Sequence, residues 1–333
     1  MSQPISAALW FEHLLRVDGS LEYLKSGGSI IRFAIASDDN AHSNLVSTLR
    51  STKEGEQFAY FIVPSHTCEI HRPDRVLNQL ANTWNTKSYL TAVAKSVWKE
   101  LHYIATDSIL LNDASRETGL DPAPLFSRFN RRLRHVLGRD FLGLGGQNNS
   151  VLFNRDFANG AITSIISLIE GDDTDTKKFE AWLRGERLTA SERRSIGIMW
   201  PVKRDNATSI LRSMLAFSSL SGWKGSILHL DIRFVTDPTK YSEIYSANTY
   251  TKAKRIALYQ WLREIVDQTQ HFSNSLILIE AGPTFIDQSP FGIGVGTYDA
   301  LKNRIIDDAH LTEDAVANPC AVVVPLSGDS YVG

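Results

Sequence analysis

Five short runs along the chain are rich in Ile, Val, Leu or Phe: Ser29–Ala36, Phe58–Val63, Ser226–Ile232, Ser275–Glu280 and Ala321–Leu326. Gly, Pro, Asp or Asn residues bound them. Four are nearly continuously apolar and lack the alternation of a strand with one wet face. That pattern belongs to strands covered on both sides, as in a parallel sheet. Other segments repeat apolar residues at helical spacing. Asn206–Leu220 sets Ile210, Leu211, Met214, Leu215 and Phe217 on one stripe, and Thr251–Phe272 does the same with Ile256, Tyr259, Leu262, Ile265 and Val266. Strand alternating with helix predicts right-handed crossovers and an α/β fold, a three-layer αβα sandwich.

Between the second and third of these runs lie about 160 residues, far more than one helix and two short loops require. Helical patterns occupy Arg75–Thr106, Pro124–Leu137, Asn159–Glu170 and Lys177–Arg187. The expectation is a helical insertion over residues 65–204, set into a discontinuous α/β core of residues 1–64 and 205–333. Gly138–Ser150 and Gly171–Thr176 read as its flexible joints. No internal repeat or low-complexity tract is evident.

Composition narrows the function classes. Of 333 residues, 43% are hydrophobic and 22% charged, which is ordinary globular usage and excludes a disordered or fibrous chain. Lys plus Arg (35) nearly balances Asp plus Glu (37), so no global field draws nucleic acid or anionic lipid. The apolar run ending at Ile169 is far shorter than the roughly 18 residues of a spanning helix. Met1–Leu15 has no basic leader region and carries Glu12 and His13 among its apolar residues, which argues against a signal peptide. Cys68 and Cys320 are too few for a disulfide framework and fit a reducing cytoplasm.

Candidate chemistry begins at the end of the first strand, since ligands in open α/β sheets bind beyond the carboxyl ends of the strands. Ala36-Ser37-Asp38-Asp39-Asn40-Ala41-His42-Ser43 has the strand–loop–helix frame of a phosphate-binding loop, G-x-x-x-x-G-K-[ST]. Ala36 and Ala41 stand where the motif has glycines, and His42 stands where it has lysine; Ser43 alone matches. A Cβ at Ala41 opposes close approach of backbone to phosphate. His42 is shorter than lysine and mostly neutral at pH 7. Asp38 and Asp39 bring like charge toward a triphosphate, a repulsion of about 1 kcal/mol at 4 Å in water and about 4 at intermediate dielectric. A helix N-terminus offsets at most about 2 kcal/mol of that. The third strand, Ile227-Leu228-His229-Leu230-Asp231-Ile232, resembles a Walker B strand in which Asp231 could hold Mg²⁺ while Ile232 cannot polarise water. Plain core strands joined by ordinary turns would read the same way locally.

Longer segments carry a resemblance. Phe179–Ile198, then Gly222-Trp-Lys-Gly-Ser-Ile-Leu-His-Leu-Asp231, then Ser275–Ile286, Gly296–Arg304 and Asn318–Leu326 follow one another in the order found in the P-loop ATP-binding proteins of BREX phage-defence systems, the BrxC/BrxD group. The resemblance runs from about residue 20 to 327. It implies an AAA+/ORC-like P-loop fold with a five-stranded, mainly parallel sheet in the order 5-1-4-3-2. It also implies a place in an antiviral assembly acting on DNA. Carried over by position, Ala36, Asp39, Ala41, His42 and Ser43 form a vestigial nucleotide loop, and Ser43 and Asp231 are the Mg²⁺ positions. Thr284 lies near a polar sensor position, and Arg304 on a helix that could face a neighbouring subunit. Relatives usually continue past the equivalent of Tyr331-Val-Gly333 into a lid and a winged-helix region.

Because His42 and Ile232 remove the lysine and the glutamate, the expected protein is a degenerate P-loop scaffold or regulator of a defence complex. It would need no cofactor, with ATP and Mg²⁺ relevant only if the altered site still binds them. Its expected partners are other defence proteins, with DNA and a second copy of the chain as further candidates and no membrane. One alternative is a divergent active ATPase helped by a cation from elsewhere. Another is a DNA-binding module built on Arg128, Arg131, Arg132, Arg134 and Arg139, whose helical spacing spreads them over more than one face. His66, Cys68 and His71 match no common zinc spacing. No Gly-x-Ser-x-Gly elbow supports a hydrolase triad. Gly143–Gly146 reads as a flexible turn, Asp172, Asp173 and Asp175 as a solvated linker. Trp84, Trp98, Trp182, Trp200, Trp223 and Trp261 read as core residues.

Overall fold

A computed structural model describes residues 4–17, 19–56, 58–101, 108–137, 153–238, 250–306 and 321–328. Arg139, Cys320, the expected joint at Gly138–Ser150 and the terminal Tyr331–Gly333 lie outside them. Among the described residues, no helix is long and apolar enough to cross a membrane. The chain divides into one unit of residues 1–76 and 224–333 and a second of residues 77–223.

The first unit holds a six-stranded, all-parallel sheet of β1 (Ile5–Ser6), β2 (Ser29–Ala36), β3 (Phe58–Pro64), β4 (Gly225–Asp231), β5 (Ser275–Ala281) and β6 (Val323–Ser327). Its order is β1-β6-β2-β5-β4-β3. The expected five-strand sheet is therefore corrected to six: Ile5–Ser6 adds an edge strand beside β6, paired Ile5 to Leu326. Two residues carry no periodicity, which is why this strand leaves no mark in the sequence. Every residue of β4 and β5 is buried, as continuous apolar runs require.

Helices cover both faces. On one, α1 (Ala7–Glu12) and α3 (Asp39–Glu56) bring Trp10, Phe11, Ala41, Leu45 and Leu49 against Ile30, Ala34, Ile227, Leu276 and Leu278. Between them in sequence lies the short α2 (Ser20–Lys25). On the other face Phe33 stacks on Phe285 at 5.6 Å. Phe285 in turn meets the ring of Tyr259, a residue of the long helix over Lys252–Asp267.

The second unit is helical: α4 (Pro73–Thr83) leads into it, followed by α5 (Thr86–Glu100), α6 (Leu111–Thr118), α7 (Pro122–Val136), α8 (Arg155–Ile169), α9 (Thr174–Leu183), α10 (Ala190–Ser195) and α11 (Arg204–Leu220). The single helical pattern over 75–106 proves to be two helices, because Asn85 starts a new one by accepting the Ser88 N–H at 3.1 Å. Asp172 and Asp173 are not a bare linker. Asp172 accepts the Thr174 N–H at 2.9 Å at the start of α9, and Asp173 pairs with Lys177 at 2.8 Å. Gly160 on α8 faces Phe179, with no room for a Cβ. Trp84, Trp98, Trp182 and Trp261 are buried.

Candidate functional site

β2 ends at Ala36 and α3 begins at Asp39, so only Ser37 and Asp38 join them. Residues 39–43 are thus helical rather than looped. Ala36 and Ala41 point into the core, and the Asp38 carboxylate caps the helix by accepting the Ala41 N–H at 2.8 Å. The Ser43 hydroxyl donates back to the Asp39 carbonyl oxygen at 2.8 Å. Gly328, beyond β6, closes on the same turn and accepts the Asn44 amide at 3.1 Å.

The polar centre of this unit lies under His42. In the parallel ladder Asp231, the last residue of β4, sits level with Glu280 on β5. His229, two residues back on β4, shares their face. A connected chain of hydrogen bonds crosses three strands: Tyr60 Oη to His229 Nδ1 at 2.9 Å, His229 Nε2 to Glu280 Oε2 at 2.9 Å, and Glu280 to His42 Nδ1 at 2.9 and 3.0 Å. Burial, followed by the nearby Glu280 charge, pushes the Tyr60 hydroxyl up, so it remains a donor and His229 Nδ1 is its acceptor. That fixes His229 with its proton on Nε2, aimed at Glu280. Burial would raise the Glu280 carboxyl, but the hydrogen bonds from His229 and His42 and the charge of Arg233 overcome it and hold it well below the usual carboxylate range.

Arg233 closes the cluster. The first residue of the short helix Arg233–Thr236, it is folded back on β4, with Nε 3.0 Å from Asp231 Oδ1 and Nη2 2.9 Å from Oδ2. Nε is also 3.3 Å from Glu280 Oε1, and Nη1 is 3.4 Å from Asp39 Oδ1. Ligand atoms of His42, Asp231 and Glu280 lie within 4.8 Å of one another, the only such metal-competent group among the described residues. The Arg233 guanidinium already supplies the counter-charge for its two carboxylates.

Of the residues singled out in the sequence, the structure joins His42, Asp231 and, at the edge, Asp39. Thr284 sits in the turn Pro283–Ile286, its hydroxyl buried without a hydrogen-bond partner among the described residues. Arg304 pairs with Asp267 at 2.7 Å on the outer helices instead. On α7, Leu125, Phe129 and Leu133 face inward, and Arg128, Arg131 and Arg134 are exposed. Arg132 pairs with Glu100. In the loop after β3, the Tyr250 hydroxyl lies 3.1 Å from the carbonyl oxygens of Ser65 and Cys68, and burial pushes the Cys68 thiol up to about 12.

Glu280, His229, Arg233 and Tyr60 are missing from the sequence reading. The signal is an ionisable residue set inside each apolar strand, His229 in Ile-Leu-His-Leu-Asp and Glu280 in Leu-Ile-Leu-Ile-Glu. A buried charge in such a run demands a partner.

A family model described as BREX system ATP-binding protein BrxC/D matches residues 128–329. The match takes in β4, β5 and β6 with Asp231, Arg233 and Glu280, and starts after β2 and the turn at Ser37–Asp38. Comparison with curated proteins and with solved structures returns no match. With more than half of its length matched, the chain belongs to the BREX system ATP-binding protein BrxC/D family.

Proposed function

We propose that this chain is a non-hydrolysing member of its family, a scaffold or regulatory subunit that works in an anti-phage assembly by contacting the other components. One observation carries this reading: every group that could grip a triphosphate is already committed within the chain. Asp38 takes the helix amide, Glu280 takes His42, and Asp231 takes Arg233. A triphosphate with Mg²⁺ would have to displace the guanidinium from two buried carboxylates, and breaking one partner from a buried pair costs about 3–5 kcal/mol. The residues present do not fit ATP with Mg²⁺, and no catalytic step is assigned to them.

The alternative of a divergent active ATPase draws on one feature. Glu280 places a second carboxylate beside Asp231 where Ile232 offers none. That carboxylate is fully buried and bonded to two histidines, so water does not reach it. Steady-state phosphate release decides between the two. The purified chain, alone and with duplex DNA or with the proteins encoded beside it, is expected to release none above background. Turnover that vanishes in Asp231→Ala would establish the alternative.

A further inference from the structure

Trp200 departs from most of the other tryptophans, and Trp223, also expected in the core, is half-buried. Trp10, Trp84, Trp98, Trp182 and Trp261 are buried, whereas Trp200 is 67% exposed and its neighbour Met199 50%. This corrects the expectation that Trp200 is a core residue. Its exposure does not come from a loose chain. The N–H groups of Met199 and Trp200 both donate to the buried Asp156 carboxylate, at 3.2 and 2.9 Å. The Trp200 carbonyl oxygen accepts the indole N–H of buried Trp182 at 2.9 Å. The next residue, Pro201, accepts the Asn206 amide at 3.0 Å. Groups fixed inside the helical unit therefore hold the backbone on both sides of Trp200, and the indole is left facing outward.

The surrounding charge is one-sided. Residues 184–204 contain six Arg or Lys against two Glu. Glu192 is used in capping Thr189, Arg184 pairs with Glu180, and Arg193 donates to the Leu188 carbonyl. Arg187, Arg194, Lys203 and Arg204 are exposed and have no acidic partner among the described residues.

We propose that this segment binds single-stranded nucleic acid, with a base stacked on Trp200 and the flanking cations neutralising phosphates. An exposed aromatic on a fixed backbone, in a segment carrying unpaired cations, is the combination that such binding uses, since every base offers a face to stack and every linkage a negative charge. Duplex bases are already stacked and cannot cover the indole. A protein occupant would have to bring a matched set of acids to Arg187, Arg194, Lys203 and Arg204, whereas a nucleic-acid strand carries that negative charge on every linkage. The site is independent of the Asp231–Arg233 cluster and of whether the chain hydrolyses ATP.

The test is a titration of the full chain with oligo(dT) of about 16 nucleotides, read by tryptophan fluorescence. Binding is expected to quench emission. Trp200→Phe should bind comparably but lose most of the quench, and Trp200→Ala should weaken binding about tenfold. Replacing Arg194, Lys203 and Arg204 together by Gln should lower the slope of log affinity against log salt by about 2. Thermal unfolding of Trp200→Ala should match the parent, which separates lost binding from lost folding. Absence of binding at low salt, equal affinity in Trp200→Ala, or preference for a duplex of equal length would each overturn the proposal. So would shielding of Trp200 by a purified protein component of the assembly while oligo(dT) leaves it untouched.

Discussion

The Nδ1–H of His42 reaches both oxygens of Glu280, at 3.0 and 2.9 Å, across 238 positions of chain. This contact ties the first turn of α3 to the middle of the sheet. His42 keeps about a quarter of its side chain exposed, and Glu280 none. The pair therefore spans from solvent to the buried polar ladder.

Removing the centre of the ladder should be costly. Glu280→Gln removes the negative charge and leaves one carbonyl oxygen for Arg233 and two histidines, with an NH2 donor where the second oxygen was, and should lower unfolding free energy by about 3–5 kcal/mol. Urea denaturation with unchanged m-value checks this; a loss below about 1 kcal/mol would show that the buried charges do not depend on Glu280.

Tyr60→Phe tests the far end. Without the hydroxyl, His229 Nδ1 becomes a buried acceptor with no donor, a loss of about 1–3 kcal/mol. The same denaturation assay reads it, and no change would show that His229 Nδ1 does not depend on Tyr60 for its partner.

Acid should act through Glu280. Its folded-state carboxyl titrates below the ordinary value of about 4.3, so its contribution to stability is present at higher pH and is lost as pH falls through that value toward the folded one. Denaturation midpoints for the parent chain should drop steeply below about pH 4. The Glu280→Gln variant should show a shallower fall, and parallel curves would remove this assignment.

In the helical unit, Gly160→Ala pits two effects against each other. Alanine gains about 1 kcal/mol of helix propensity. Its Cβ would lie 2.5 Å from a Phe179 ring carbon and 2.9 Å from Ile198, both buried, and such overpacking costs about 1–3 kcal/mol. Net destabilisation is expected in thermal melts; a stabilised variant would show that the Phe179 ring moves aside freely.

Much of the architecture is legible in the sequence because burial on both faces leaves β2, β4 and β5 as nearly continuous apolar runs. The same rule hides the site. Reading Ser275–Glu280 as a plain buried strand passes over Glu280, and reading Leu228–Leu230 as core passes over His229. Spacing alone aligned residues 36–43 with a phosphate loop, but Asp38 is a good helix cap, and the helix starts five residues before Asn44 reaches Gly328. The sequence neighbourhood of Trp200 points to the core, whereas the structure ties its backbone N–H to Asp156, 44 positions away, and leaves the side chain exposed.

The most direct measurement is an equilibrium titration of the full chain with ATP and Mg²⁺ by isothermal calorimetry. An Arg233 guanidinium that stays on Asp231 and Glu280 predicts no binding heat up to millimolar nucleotide. Micromolar binding, abolished in Asp231→Ala and accompanied by phosphate release, would contradict it.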